Sequence, residues 1–121
     1  MLLVDDSDDI RELWRLWLTY WNFSVDEAAD GQEAVRKALV ARPDLILMDL
    51  WMPVVDGVEA LKRLKKDPRT ADVPVVVLSA QNRAPDAATV VAAGGDELLP
   101  KPSDPDVLLG HIRTALRRAR P

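Results

Sequence analysis

Three apolar runs in this chain each end in a polar side chain, and this constrains the fold more than any other feature. Leu2-Leu3-Val4 runs into Asp5-Asp6, Leu45-Ile46-Leu47-Met48 into Asp49, and Val75-Val76-Val77-Leu78 into Ser79. A weaker run, Glu97-Leu98-Leu99, is followed shortly by Lys101. Short runs without alternation fit strands covered on both faces; a half-exposed strand would alternate apolar with polar residues. Phe23 to Ala28 is a further strand, with Asp26 and Glu27 suited to a sheet edge. Helical spacing fills the gaps: Ile10 to Trp21, then a segment opened by Asp30-Gly31-Gln32-Glu33 and stopped by Pro43. Asp56-Gly57-Val58-Glu59 repeats the capping pattern and opens a helix to about Lys66, which Asp67-Pro68 breaks. A fourth helix is expected from about Pro85 to Ala93, ending at Gly94-Gly95. Asp104-Pro105 supplies N-cap and first-turn proline for a fifth, running towards Arg117. Five strands alternating with five helices imply an α/β fold, a parallel sheet covered on both faces.

The 121 residues make one domain, 1–121, with a hydrophobic content of 48% to fill its core. Without cysteine, disulfides, thiolate metal sites and cysteine nucleophiles are excluded. The net charge of −4 disfavours nucleic acid and membrane surfaces as partners. Met1-Leu2-Leu3-Val4-Asp5-Asp6 has neither a basic leader nor a spanning length, so a cytoplasmic protein is expected. The basic end, Arg117 to Pro121, suits a helix C-terminus or the start of a linker.

Ligands of an open parallel sheet bind outside the carboxyl ends of its strands, where the strand order reverses. Here those ends carry Asp5, Asp6, Asp49, Ser79 and, just past the fifth strand, Lys101. If the first and third strands are neighbours, three carboxylates converge and call for a counter-charge. An all-oxygen set favours Mg²⁺, Mn²⁺ or Ca²⁺ over zinc.

In order, Leu3-Val4-Asp5-Asp6, Leu47-Met48-Asp49, Met52-Pro53, Asp56-Gly57, Leu78-Ser79-Ala80 and Lys101-Pro102 resemble the bacterial response-regulator receiver family over essentially the whole chain. The resemblance implies a flavodoxin-like, doubly wound sheet of strand order 2-1-3-4-5. It implies a phosphorylation-controlled switch of a two-component phosphorelay, not a turnover enzyme. Asp49 would be the phosphoacceptor, and Asp5, Asp6, Asp49 and the backbone carbonyl of Trp51 would hold Mg²⁺ or Mn²⁺. Lys101 would pair with a phosphoryl oxygen, and the Ser79 hydroxyl would bond another and move inward. The donor would be a phosphohistidine on a sensor histidine kinase or phosphotransfer protein; a homodimer is also open to such a domain. A cis Lys101-Pro102 bond is implied as well.

The chain departs from the family pattern in places. Leu98 stands where many receivers carry the aromatic residue that switches rotamer, and Ser103 where an aromatic is common. Trp51 and Gln81, two residues beyond Asp49 and Ser79, would flank the water that hydrolyses the acyl phosphate. Three other readings compete. A magnesium-dependent phosphatase with an aspartyl nucleophile would want Asp-x-Asp, and Asp49-Leu50-Trp51 lacks the second acid. A flavodoxin-like cofactor protein would need a phosphate loop where Asp5 and Asp6 repel phosphate. A degenerate receiver acting unphosphorylated would not need the full acid, hydroxyl and lysine set. His111, far from any partner in sequence, is expected on or just beneath the surface.

The first helix carries more apolar surface than a core contact requires. At ~100° per residue its apolar positions from Ile10 to Trp21 span about 200°, and a core stripe needs little more than about 100°. The surplus is either a thick core stripe with scattered surface residues or a docking face for the phosphodonor.

Overall fold

All three residues of β1 (Leu2–Val4) are buried, and their side chains point alternately into two separate apolar layers. That arrangement recurs in β3 (Ile46–Asp49) and β4 (Val75–Ala80), as the unbroken apolar runs require. The computed structural model describes residues 1–49, 57–80, 92–95, 97–101 and 104–119. With β2 (Asp26–Ala28) and β5 (Glu97–Lys101), the strands form one five-stranded sheet of order β2-β1-β3-β4-β5, and every pairing is parallel.

Helices α1 (Asp8–Tyr20) and α4 (Pro105–Ala119) cover one face. There Trp14, Leu18, Leu108, Ile112 and Ala115 pack on Leu3, Leu47, Val76 and Leu78. Helices α2 (Gly31–Ala41) and α3 (Gly57–Lys66) cover the other. Their Ala34, Ala38, Ala60, Leu61 and Leu64 meet Leu2, Val4, Ile46, Met48, Val75 and Val77. The sheet is therefore doubly wound in the flavodoxin-like order that the family resemblance implies. Four of the five expected helices fall within the described residues. The stretch from Pro85 lies outside them apart from its end, where Ala92 is helical.

Helix ends follow local chemistry. The Asp30 side chain accepts the Glu33 backbone N–H at 2.8 Å, while the Glu33 carboxylate accepts the Ala29 N–H at 3.1 Å, one residue beyond an ideal capping box. Arg42 closes α2 in the left-handed region (φ 39°) before Pro43. Asp104 opens α4, its carboxylate accepting the Asp106 N–H at 2.8 Å. Gly94 has φ 102°, which only glycine adopts without strain. A Cβ there would also lie 2.6 Å from the Lys65 side chain.

Several boundaries differ from the sequence reading, most by a residue or two. β2 begins at Asp26 instead of Phe23, because the Phe23 N–H caps α1 through the Leu18 carbonyl at 3.0 Å. The ladder then starts with the Asp26 N–H on the Met1 carbonyl. Helix α1 begins at Asp8 instead of Ile10, since the Ser7 hydroxyl caps it by accepting the Ile10 N–H at 3.3 Å. β5 extends through Lys101, so that residue ends the strand instead of following it.

Candidate metal centre

The chain leaves β1, runs out to the edge strand β2 and returns across β1 to β3, so its direction of progress reverses between β1 and β3. A crevice opens at the carboxyl ends of two such strands. Val4 is in register with Met48, and the next residue of each strand is an aspartate. One carboxylate oxygen each of Asp5, Asp6 and Asp49 lies within 4.8 Å of the others. Among the described residues this is the one cluster of three or more acidic or imidazole groups that could hold a metal ion.

The three acids sit in different surroundings. Asp5 and Asp49 are buried, at 3% and 7% exposure, and Asp6 faces solvent. Asp5 is anchored on several sides. Its N–H donates to the Ala28 carbonyl at 3.2 Å, its carboxylate accepts the Ser7 N–H at 2.9 Å, and its carbonyl accepts Arg11 Nη1–H at 2.6 Å. Asp49 is placed by the ladder, level with Leu78 of β4. Three carboxylates held this close repel one another strongly where water is partly excluded. Hard oxygen donors with one open side fit Mg²⁺, Mn²⁺ or Ca²⁺.

The other residues singled out in the sequence lie along the same edge. Ser79 is one residue beyond the partner of Asp49, and Ala80 pairs with Lys101. Strand order thus brings Asp5, Asp49, Ser79 and Lys101 to neighbouring carboxyl ends; the Ser79 and Lys101 side chains are not among those described. Trp51, Gln81, Pro102 and Ser103 lie outside the described residues, and the implied cis Lys101-Pro102 bond with them. His111 is half-buried on α4 and is not part of the acid cluster. Asp8 and Asp9 occupy the first turn of α1, the ordinary place for helix acids, whereas Asp6 precedes the cap. Arg11 carries no signal in the sequence that would single it out. A side chain whose target is a backbone carbonyl leaves no motif.

The surplus apolar surface of α1 resolves into two stripes. Trp14 and Leu18 are buried, with Ile10 and Trp21 packed beside them. Leu13, Leu16, Trp17 and Tyr20 are exposed at 49%, 58%, 36% and 75%. Their i, i+3, i+4, i+7 spacing makes a second helical stripe that turns to solvent. Within it the Trp17 ring meets Tyr20 edge-on at 6.2 Å and Trp21 at 5.6 Å.

Known proteins share this arrangement. Residues 1–113 match the response regulator receiver domain. The chain is 37% identical over 118 residues to the DNA-binding dual master transcriptional regulator RpaA of Synechocystis, covering 98% of this chain and 49% of that protein. The signal receiver domain of a signal transduction histidine kinase from Syntrophus aciditrophicus superposes with a TM-score of 0.89 at 31% identity, covering 97% of this chain and 89% of that one. The receiver domain of sensor histidine kinase PA1611 from Pseudomonas aeruginosa, solved with magnesium coordinated in its active-site cleft, gives 0.88 at 30%, covering 96% and 95%. The chain belongs to the response-regulator receiver family, whose domains are the phosphorylation-controlled switches of two-component signalling. It spans about half the length of the curated relatives it matches.

Proposed function

We propose that Asp49 is the phosphoacceptor of this receiver and that Asp5, Asp6 and Asp49, with the carbonyl of Trp51, hold Mg²⁺, Mn²⁺ being an alternative ion. The observation that carries the proposal is the meeting of three carboxylates within 4.8 Å at the strand-order reversal. An Asp49 carboxylate oxygen attacks phosphorus in line with the bond to the donor's imidazole nitrogen. The P–O bond forms as the P–N bond breaks, leaving an acyl phosphate, and the departing imidazole nitrogen takes up a proton from solvent to give free histidine. Bound Mg²⁺ offsets the repulsion between the incoming phosphoryl oxygens and the acids. Lys101 pairs with one phosphoryl oxygen as a point charge, and the Ser79 hydroxyl bonds another. The domain is consumed and regenerated stoichiometrically, so it acts as a switch and not as a turnover enzyme.

The donor is a phosphohistidine on a sensor kinase or phosphotransfer protein, and it docks on the exposed stripe of α1. That stripe begins at Leu13, on the helix that directly follows the Asp5-Asp6 loop, so a partner docked on it would sit beside the acids. No helix among the described residues is long and apolar enough to cross a membrane. Incubation with a small-molecule phosphodonor tests the cation requirement. Labelling in Mg²⁺ that vanishes in excess chelator supports the site; labelling unchanged by chelator removes it.

A further inference from the structure

Arg11 binds the loop that carries the acids from behind. Its Nη1–H donates to the Asp5 carbonyl at 2.6 Å, its Nη2 group to the Asp8 carboxylate, and its Nε–H to the Glu27 carboxylate at 3.3 Å. Its side chain is only 14% exposed, unusually low for an arginine on the polar side of a surface helix. From α1 the one guanidinium therefore reaches the β1–α1 loop, the first turn of its own helix and the edge strand β2.

The carbonyl it holds belongs to the peptide that joins Asp5 to Asp6. Fixing that plane sets ψ of Asp5 and φ of Asp6, and with them the angle between two of the three carboxylates. The front of the same turn is closed by the Ser7 N–H on the Asp5 carboxylate. We infer that Arg11 is a positioning residue for the cation site, acting through the Asp5 carbonyl to preset Asp6 against Asp5 and Asp49. The inference rests on the cation-site reading above. Asp8 and Glu27 balance the guanidinium charge, so its contribution is geometric more than electrostatic.

The sign of the effect separates the two roles. If Arg11 acted only as a nearby positive charge, removing it would tighten divalent-cation binding to an acidic site. If it positions the loop, removing it weakens binding; partners behind metal ligands are commonly worth about 10- to 100-fold in affinity. Lysine keeps the charge but lacks the planar fork that reaches three acceptors. Arg15 is the control, because it pairs with the same Glu27 carboxylate at 3.6 Å and has no bond to the Asp5 carbonyl.

Mg²⁺ titration by calorimetry on the full chain, with the fold checked by circular dichroism, decides between them. Arg11→Gln is expected to weaken Mg²⁺ about tenfold, Arg11→Lys to weaken it measurably, and Arg15→Gln to leave it near the parent value. Faster amide hydrogen exchange at Asp6 and Ser7 in folded Arg11→Gln is the second expected result and needs no metal. Unchanged or tighter Mg²⁺ binding in Arg11→Gln, or parent-like binding in Arg11→Lys, overturns the positioning role while leaving the cation site intact. A parent chain that fails to bind Mg²⁺ overturns the cation site itself, and the positioning role with it.

Discussion

Asp5 and Asp49 stand side by side at the carboxyl ends of β1 and β3, carried there by the parallel register that pairs Val4 with Met48. Both are buried, and Asp6 completes a set whose oxygens approach within 4.8 Å. Like charges in that position oppose folding unless a cation is bound, which ties the stability of the domain to its ligand.

Divalent cation should therefore raise the melting temperature. At a concentration about a hundred times Kd, binding contributes about 2.7 kcal/mol, or on the order of 10 °C for a domain of this size. Thermal denaturation in Mg²⁺ and in chelator measures this. Asp5→Ala should abolish the difference between the two conditions.

The two stripes of α1 should separate on mutation. Trp14→Ala empties a buried site and should cost about 3–5 kcal/mol in denaturant unfolding. Trp17→Ala removes ring contacts with exposed Tyr20 and half-buried Trp21 and should cost about 1 kcal/mol, yet it should slow phosphotransfer from a cognate kinase. Labelling by a small-molecule donor should be unaffected, since that donor needs no docking face. Equal slowing with both donors would place the defect at the acids instead of at the stripe.

Loss of the α2 cap should be local and modest. Asp30→Ala removes the acceptor for the Glu33 N–H and should cost about 1 kcal/mol without changing cation affinity. Chemical denaturation and Mg²⁺ titration on the same variant check both halves of that statement.

Trp51 should shield the acyl phosphate. A bulky apolar residue two beyond Asp49 would restrict the water that attacks opposite the Asp49 oxygen, and uncharged Gln81 is poorly suited to activate it. Phosphate release from the phosphorylated chain should accelerate several-fold in Trp51→Asn. Unchanged or slower release would remove Trp51 from that role.

Much of this arrangement is legible in the residues. A strand buried on both faces needs an unbroken apolar run, so Leu45 to Met48 and Val75 to Leu78 mark themselves, and so do the acid and hydroxyl that end them. Asp30 with Glu33 marks a helix start because the chemistry of a cap is local. What the sequence hides is set by tertiary choices. The start of β2 depends on whether the Phe23 N–H joins the ladder or caps α1, and both are open to it in sequence. The direction of Leu13, Leu16, Trp17 and Tyr20 depends on which of two apolar stripes meets the sheet. Arg11 is hidden for a third reason: its main partner is a carbonyl, which every residue has.

Asp49 should take up one phosphoryl group. Intact-mass measurement after incubation with a small-molecule phosphodonor and Mg²⁺ checks this on the parent chain and on Asp49→Ala. The parent should gain the mass of a single phosphoryl group, lose it on mild alkaline treatment as an acyl phosphate does, and gain nothing when Asp49 is replaced. A stable adduct of the same mass on Asp49→Ala, or a parent chain that stays unmodified in Mg²⁺, would contradict it.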